Sequence, residues 1–495
     1  MSSQFTRRTV LAGLVSTAGG AAFGRAPSTS PRPLARGDTP VLPARPKKLI
    51  GPSEALVQRA NLGGEVGFAV VDVQSGEMVD ARLGSTPLPP ASTLKAVTAV
   101  YALDQLGPDH RFRTRLLTTG PVKNGKIDGH LVLVGGGDPT LDTDRLAELA
   151  IALRDAGITE VTGKFLVWAD ALPRTDRIDG NQPEHVAYNP AVSGINLNFN
   201  RVHFEWTRLR DEQYKMTLQA RSRNYRPDTR VASMSIVDRK APVYDHWSNG
   251  VQDHWTVARR ALGKEGARWL PVRYPAEYAG DVFRTLARAN GVVLSPPAVI
   301  GDLPEGTILA EVESAPLTPM LHDMLKYSTN LTAEAVGLAA SMTAGPRPTS
   351  LAHSGIRMSA MMSDTYRLGG TNFRDHSGLG YASTVAPADM VRILCANAQI
   401  APLLKTVNLA VGNQSAPANV EARAKTGTLN FVSSLAGFIE AGDRTLCFAI
   451  LTADTARRDA IPPEQRERPS GARGWSRRSR QLQKELIRNW AASLS

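Results

Sequence analysis

The feature that most constrains this chain is a change of texture along it. From about residue 113 to 296 it breaks into short strand-like runs separated by turn residues: "GKIDGHLVLVGGGDPTL", "VTGKFLVWAD", "GINLNFNRVHFEW" and "YKMTLQARS". One helical segment, "DRLAELAIALRDAG", is set among them. The flanks read differently. Before the change, "GFAVVDVQSGEMV" (Gly67 to Val79) is a strand, a Ser-Gly turn and a second strand, followed by Leu94, Val97, Val100, Tyr101 and Leu103 near helical period. After it, Leu317, Met320, Leu321, Met324 and Leu325 form a helical stripe that resumes at Leu331, Ala335 and Leu338. The run "ARAKTGTLNFVSSLAGFIEAGDRTLCFAILTA" then supplies three strands, with turns expected at Gly427 to Asn430 and Ala441 to Asp443. This pattern predicts an α/β (α+β) domain built from both flanks, 47–112 and 297–460, interrupted by a β-rich insertion over 113–296.

The first residues, "MSSQFTRRTVLAGLVSTAGGAAFGRA", pair Arg7 with Arg8, run without charge to Arg25 and end in small residues. These are the parts of a cleaved export signal, and the paired arginines favour the twin-arginine route. Residues 1–26 are read as that signal and 27–46 as a Pro-rich linker. The apolar run is short for a bilayer span and no second one follows, so the mature chain is expected in the periplasm with no integral membrane segment.

A content of 42% hydrophobic and 21% charged residues excludes a disordered or fibrous chain. Lys and Arg number 58 against 46 Asp and Glu, a formal net charge of +12 partly concentrated in 461–495, which we read as a basic, solvated tail. Without aromatic interleaving or a nucleic-acid motif, that charge fits anionic envelope polymers and excludes nucleic acid as a partner. The two cysteines, Cys395 and Cys447, lie in apolar settings and are expected as free thiols. No His-Glu-x-x-His or Cys/His cluster is present, and "GGGDPTL" lacks the Gly-Lys-Ser/Thr ending of a phosphate loop, so neither metal nor cofactor is predicted.

Three short motifs remain. "STLK", Ser92 to Lys95, stands where a helix begins after the proline-bearing stretch Pro87 to Pro90, which puts hydroxyl and amine on one face of its first turn. "YSTN", Tyr327 to Asn330, interrupts two helices, and "KTGT", Lys425 to Thr428, lies on the first of the late strands. Each alone is a cap, a loop or a strand end. Together, the order Ser-x-x-Lys, Ser-x-Asn, Lys-Thr-Gly in these contexts resembles the penicillin-recognising serine enzymes.

That resemblance implies acyl transfer. Ser92 would be the nucleophile and Lys95 its base, Ser328 would pass a proton to the leaving amine, and Asn330 would bind substrate amide or hold the lysine. Lys425 would add positive potential, Thr426 would bind a substrate carboxylate, and Gly427 would let an extended peptide lie along the strand. The backbone N–H groups of Ser92 and Thr428 would form an oxyanion hole.

With 236 positions separating Ser92 from Ser328, the chain is similar to the class C low-molecular-mass penicillin-binding proteins, D-alanyl-D-alanine carboxypeptidases/endopeptidases of the DacB type, which carry inserted domains in this interval. "LVLVGGGDPTL", "STNLTAEAV", "DHSGLGYAST" and "KTGTLNFVSSLAGF" look like further landmarks of that family, over roughly 45–455. The resemblance implies a β-lactamase/transpeptidase-like domain, an antiparallel sheet flanked by helices, acting on peptidoglycan stem peptides and acylated by β-lactams. Two departures stand out: the family's Gly-x-Asp-Gly-Thr segment is missing before Lys425, and Thr329 replaces a frequent Asp. The competing readings are a β-lactamase or D-amino-acid amidase, and a catalytically silent murein-binding protein. Glu334, four residues past Asn330, falls in the "TAEA" helix and is placed wrongly for a deacylating glutamate, while three intact motifs argue against silence.

Overall fold

A computed structural model describes residues 52–493; the expected signal (1–26) and linker (27–46) lie outside the described residues. The central sheet has six strands in the order Lys405–Thr406, Val420–Leu429, Val432–Ala441, Arg444–Ala453, Glu65–Asp72, Met78–Arg82, every neighbouring pair antiparallel. The early hairpin therefore completes a sheet whose other strands come from the far end of the chain.

Period two decides which side chain faces which layer. Val66, Phe68, Val70, Leu446, Phe448 and Ile450 point to one face, and Ala69, Val71, Cys447, Ala449 and Leu451 to the other. Helices cover both. Leu94–Leu106, Leu317–Tyr327, Asn330–Thr343, Leu351–Tyr366 and Pro387–Ala396 share the core of the second face. Pro52–Ala60 and Ala472–Ala492 share that of the first.

The last of these helices corrects the reading of 461–495 as a solvated basic tail. Trp475, Leu482, Leu486, Ile487 and Trp490 are buried, and the Trp490 ring lies 5.5 Å from that of Phe68. The many arginines hid an apolar stripe at helical spacing.

The insertion leaves the helical layer at Phe112 and returns at Ser314, whose N–H donates to the Phe112 carbonyl (2.8 Å) while the Phe112 N–H donates to Ser314 Oγ (2.9 Å). Its largest sheet is mixed, in the order Ala298–Ile300, Phe165–Trp168, Leu131–Val134, Arg113–Thr118, Thr307–Glu313. The expected return at 297 is thus displaced: two strands beyond it pair inside the insertion, and the helical layer resumes at Leu317. Among the described residues three three-stranded sheets, centred on Arg201–Arg208, Asp253–Ala258 and Lys126–Ile127, complete the β-rich part.

Beside the expected helix Thr143–Asp155 stands a second, unexpected one, Pro275–Ala289. Its signals were present: proline in the first turn, and Ala276, Ala279, Val282, Phe283, Leu286 and Ala287 buried at helical spacing. Among the described residues no helix is long and apolar enough to cross a membrane, and Cys395 and Cys447 are free thiols.

Candidate active site

Ser92 lies in a single 3-10 turn, Ala91–Thr93, that leads into the helix Leu94–Leu106. The turn is strained: Ala91 has φ of 45°, in a region alanine rarely adopts. Gly378 backs it so closely that a Cβ there would meet the Ala91 carbonyl oxygen at 1.9 Å.

Lys95, one helical turn on, is fully buried and all its protons are directed. Nζ donates to Ser92 Oγ (3.0 Å), to Asn330 Oδ1 (2.7 Å) and to the Ser377 carbonyl (2.8 Å). Asn330 opens the helix Asn330–Thr343, and its other amide atom, Nδ2, donates to the Tyr188 carbonyl of the insertion (2.9 Å). The two amide atoms thus have distinct partners, which sets the oxygen toward the lysine.

Ser328 ends the helix Leu317–Tyr327 in a left-handed conformation (φ 58°, ψ 41°) that a serine adopts at a cost. Its Oγ accepts from Lys425 Nζ at 2.9 Å, and Lys425 also donates to the Thr426 carbonyl at 2.7 Å. Lys425 comes from the strand Val420–Leu429, which runs three residues further than expected: Gly427, Thr428 and Leu429 are inside it, and the chain turns at Asn430 and Phe431. Gly427 is required by close approach, since a Cβ would stand 2.1 Å from Ser434 Oγ, 2.8 Å from the Pro90 carbonyl oxygen and 2.9 Å from the Ser92 nitrogen. Thr426 and Thr428 alternate with it onto the exposed face of the strand.

Ser92, Ser328, Asn330 and Thr428 line one cleft of about 610 Å³; Thr426 is exposed on the same strand face without lining that cleft. The structure therefore brings together residues from three distant stretches of chain.

Burial lowers the Lys95 amine to about 7, against the opposing pull of Glu334 and Asp375. Lys425 falls to about 6, through burial first and then repulsion from Lys95 and Lys405. Glu334, a structural rather than a catalytic residue here, is fully buried and accepts from the His376 N–H (3.0 Å) and the Ser377 N–H (2.9 Å). Burial and the neighbouring Asp375 carboxyl push it up to about 8, and Asp375 is itself raised by burial. Glu334 thus fastens the loop whose Ser377 carbonyl holds Lys95. Its position one turn after Asn330 on the same helix face was the legible clue.

A serine hydroxyl bonded to a buried, neutralisable amine, beside a second Ser–Lys pair and an open strand edge, defines a serine acyl-transfer enzyme of the penicillin-binding class. The chain belongs to the D-Ala-D-Ala carboxypeptidase 3 (S13) family, whose model matches residues 52–469. It is 27% identical over 414 residues to the D-alanyl-D-alanine carboxypeptidase DacB of Haemophilus influenzae, covering 78% of this chain and 84% of that protein. It is 29% identical over 469 residues to the D-alanyl-D-alanine carboxypeptidase of Actinomadura sp. (strain R39), covering 85% and 86%. The crystal structure of penicillin binding protein 4 (dacB) from Haemophilus influenzae shares the fold at a TM-score of 0.70 and 23% identity, over 82% of this chain and 93% of that one.

Proposed function

We propose that this protein is a serine-type D-Ala-D-Ala carboxypeptidase/endopeptidase that cleaves peptidoglycan stem peptides through an acyl-enzyme on Ser92. The carrying observation is the 3.0 Å hydrogen bond between Lys95 Nζ and Ser92 Oγ, made by an amine that burial brings to about 7. Neutral Lys95 takes the Ser92 proton as Oγ bonds to the carbonyl carbon of the penultimate D-alanine. Ser328, relayed through Lys425, protonates the leaving amine as the C–N bond breaks. Water, activated by the same lysine, then hydrolyses the ester.

Asn330 holds Lys95 and borders the substrate amide. Backbone N–H groups of Ser92 and Thr428 stabilise the oxyanion, which the tight approach of Gly427 to the Ser92 nitrogen supports. Thr426 and Lys425 take the terminal carboxylate. β-Lactams present the same carbonyl and carboxylate and leave a slowly hydrolysed ester on Ser92; a structure of the Haemophilus influenzae protein, 22% identical to this chain, is complexed with a β-lactam.

Fluorescent penicillin tests the reading. A stable label that disappears in Lys95→Ala supports it; a transient label marks a β-lactamase, and no label a silent binder. Glu334, buried under two backbone N–H donors, is not available in the cleft to speed deacylation.

The protein acts in the periplasm after export by the twin-arginine route. The pair Arg7 and Arg8 within the three-part leader supports this. Replacing both by lysine should block translocation, and undiminished periplasmic yield would refute the route.

A further inference from the structure

We propose that Arg473, Arg477 and Arg480 form an anion-binding subsite that takes free carboxylates on the acyl-donor side of the scissile bond. The inference rests on the D,D-peptidase reading and deepens it. The three side chains stand at i, i+4 and i+7 on the helix Ala472–Ala492, so they share one face and span about 10 Å. They are exposed and line the same cleft as Ser92 and Thr428.

The opposite face of that helix is pinned, with Trp475, Leu482 and Trp490 buried and Trp475 Nε1 donating to the Leu62 carbonyl at 2.8 Å. The stripe is therefore held in a fixed direction. Glu467 is the one carboxylate among the described residues lining this cleft, and it is already bonded to His185 (2.9 Å) and Arg268 (3.3 Å). The arginines are thus left to face the cleft with no carboxylate of their own among the described residues.

The strand sets which end of a substrate they meet. Lys425 and Thr426 receive the terminal carboxylate, and the reacting carbonyl sits at Ser92 and Thr428. The rest of the donor must continue toward Leu429 and Asn430, where Asn430 Nδ2 donates to the Arg466 carbonyl at 2.7 Å and the arginine helix begins a few residues later. The family match ends at residue 469, so this subsite is carried on a segment outside it.

Two D-alanyl-D-alanine donor peptides test the idea, identical except that the upstream carboxylates of one are amidated. The wild-type enzyme should prefer the carboxylate donor by about tenfold in kcat/KM, mainly through KM, and salt should shrink the preference. The triple variant Arg473→Gln, Arg477→Gln, Arg480→Gln should bring the ratio near one, and the triple lysine variant should restore most of it. General damage to folding lowers both rates and leaves the ratio intact. Equal wild-type rates, or a preference that persists in the glutamine variant, overturns the subsite. An enzyme that hydrolyses neither donor and takes no penicillin overturns the D,D-peptidase reading, and the subsite with it.

Discussion

Lys95 concentrates the chemistry in one residue. Free lysine titrates near 10.4, and only desolvation brings it to about 7 here. Acylation by penicillin should therefore rise with pH through about 7, because the base form increases above that point. Lys95→Ala should abolish it, measured as second-order acylation rates across pH 5.5–9; a near wild-type rate in that variant would reduce Lys95 to a structural role. Lys425→Ala should raise KM for carboxylate-bearing ligands and also slow acylation at saturation, because it removes the donor to Ser328 Oγ, and a kcat and KM comparison would resolve the two effects. At Gly427 the argument is steric. Gly427→Ala places a methyl group 2.9 Å from the Ser92 nitrogen and 2.8 Å from the Pro90 carbonyl oxygen, so acylation should fall by orders of magnitude while the melting temperature moves only a few degrees.

Two elements hold this geometry from outside the motifs. The helix Ala472–Ala492 roofs one face of the sheet, and Trp490→Ala should cost about 3–5 kcal/mol of unfolding free energy in a denaturant titration. In the insertion, buried Arg273 donates to the carbonyls of Asp176 (2.9 Å), Asn189 (2.8 Å) and Glu184 (2.7 Å), bracing the loop that carries Tyr188. Arg273→Met leaves those acceptors without their donor, a loss of roughly 2 kcal/mol or more. Limited proteolysis should then cut first within 176–190, and cleavage elsewhere would show that the brace is not local. At this scale the sequence was legible where periodicity was clean: the hairpin, the helices broken at Ser328 and the three late strands. It misled where charge obscured the apolar stripe of the last helix.

At the scale of the described residues, the chain leaves the helical layer and rejoins it where Phe112 and Ser314 meet. Replacing 114–312 by a short linker should leave a folded remnant that penicillin still labels, more slowly than the intact protein, because Asn330 loses the Tyr188 carbonyl that orients it. An unchanged labelling rate would remove the insertion from the site. The sequence by itself determined the three motifs and the elements that bear them, since capping, helical spacing and strand alternation are short-range and can be read in order. Tertiary structure alone decided that Lys95 is fully buried, that the Ser377 carbonyl reaches it across 282 positions, and that Glu334 secures the loop behind it. Burial and hydrogen-bond partners of this kind arise between segments far apart in the chain, where no local pattern of residues specifies which neighbour will arrive.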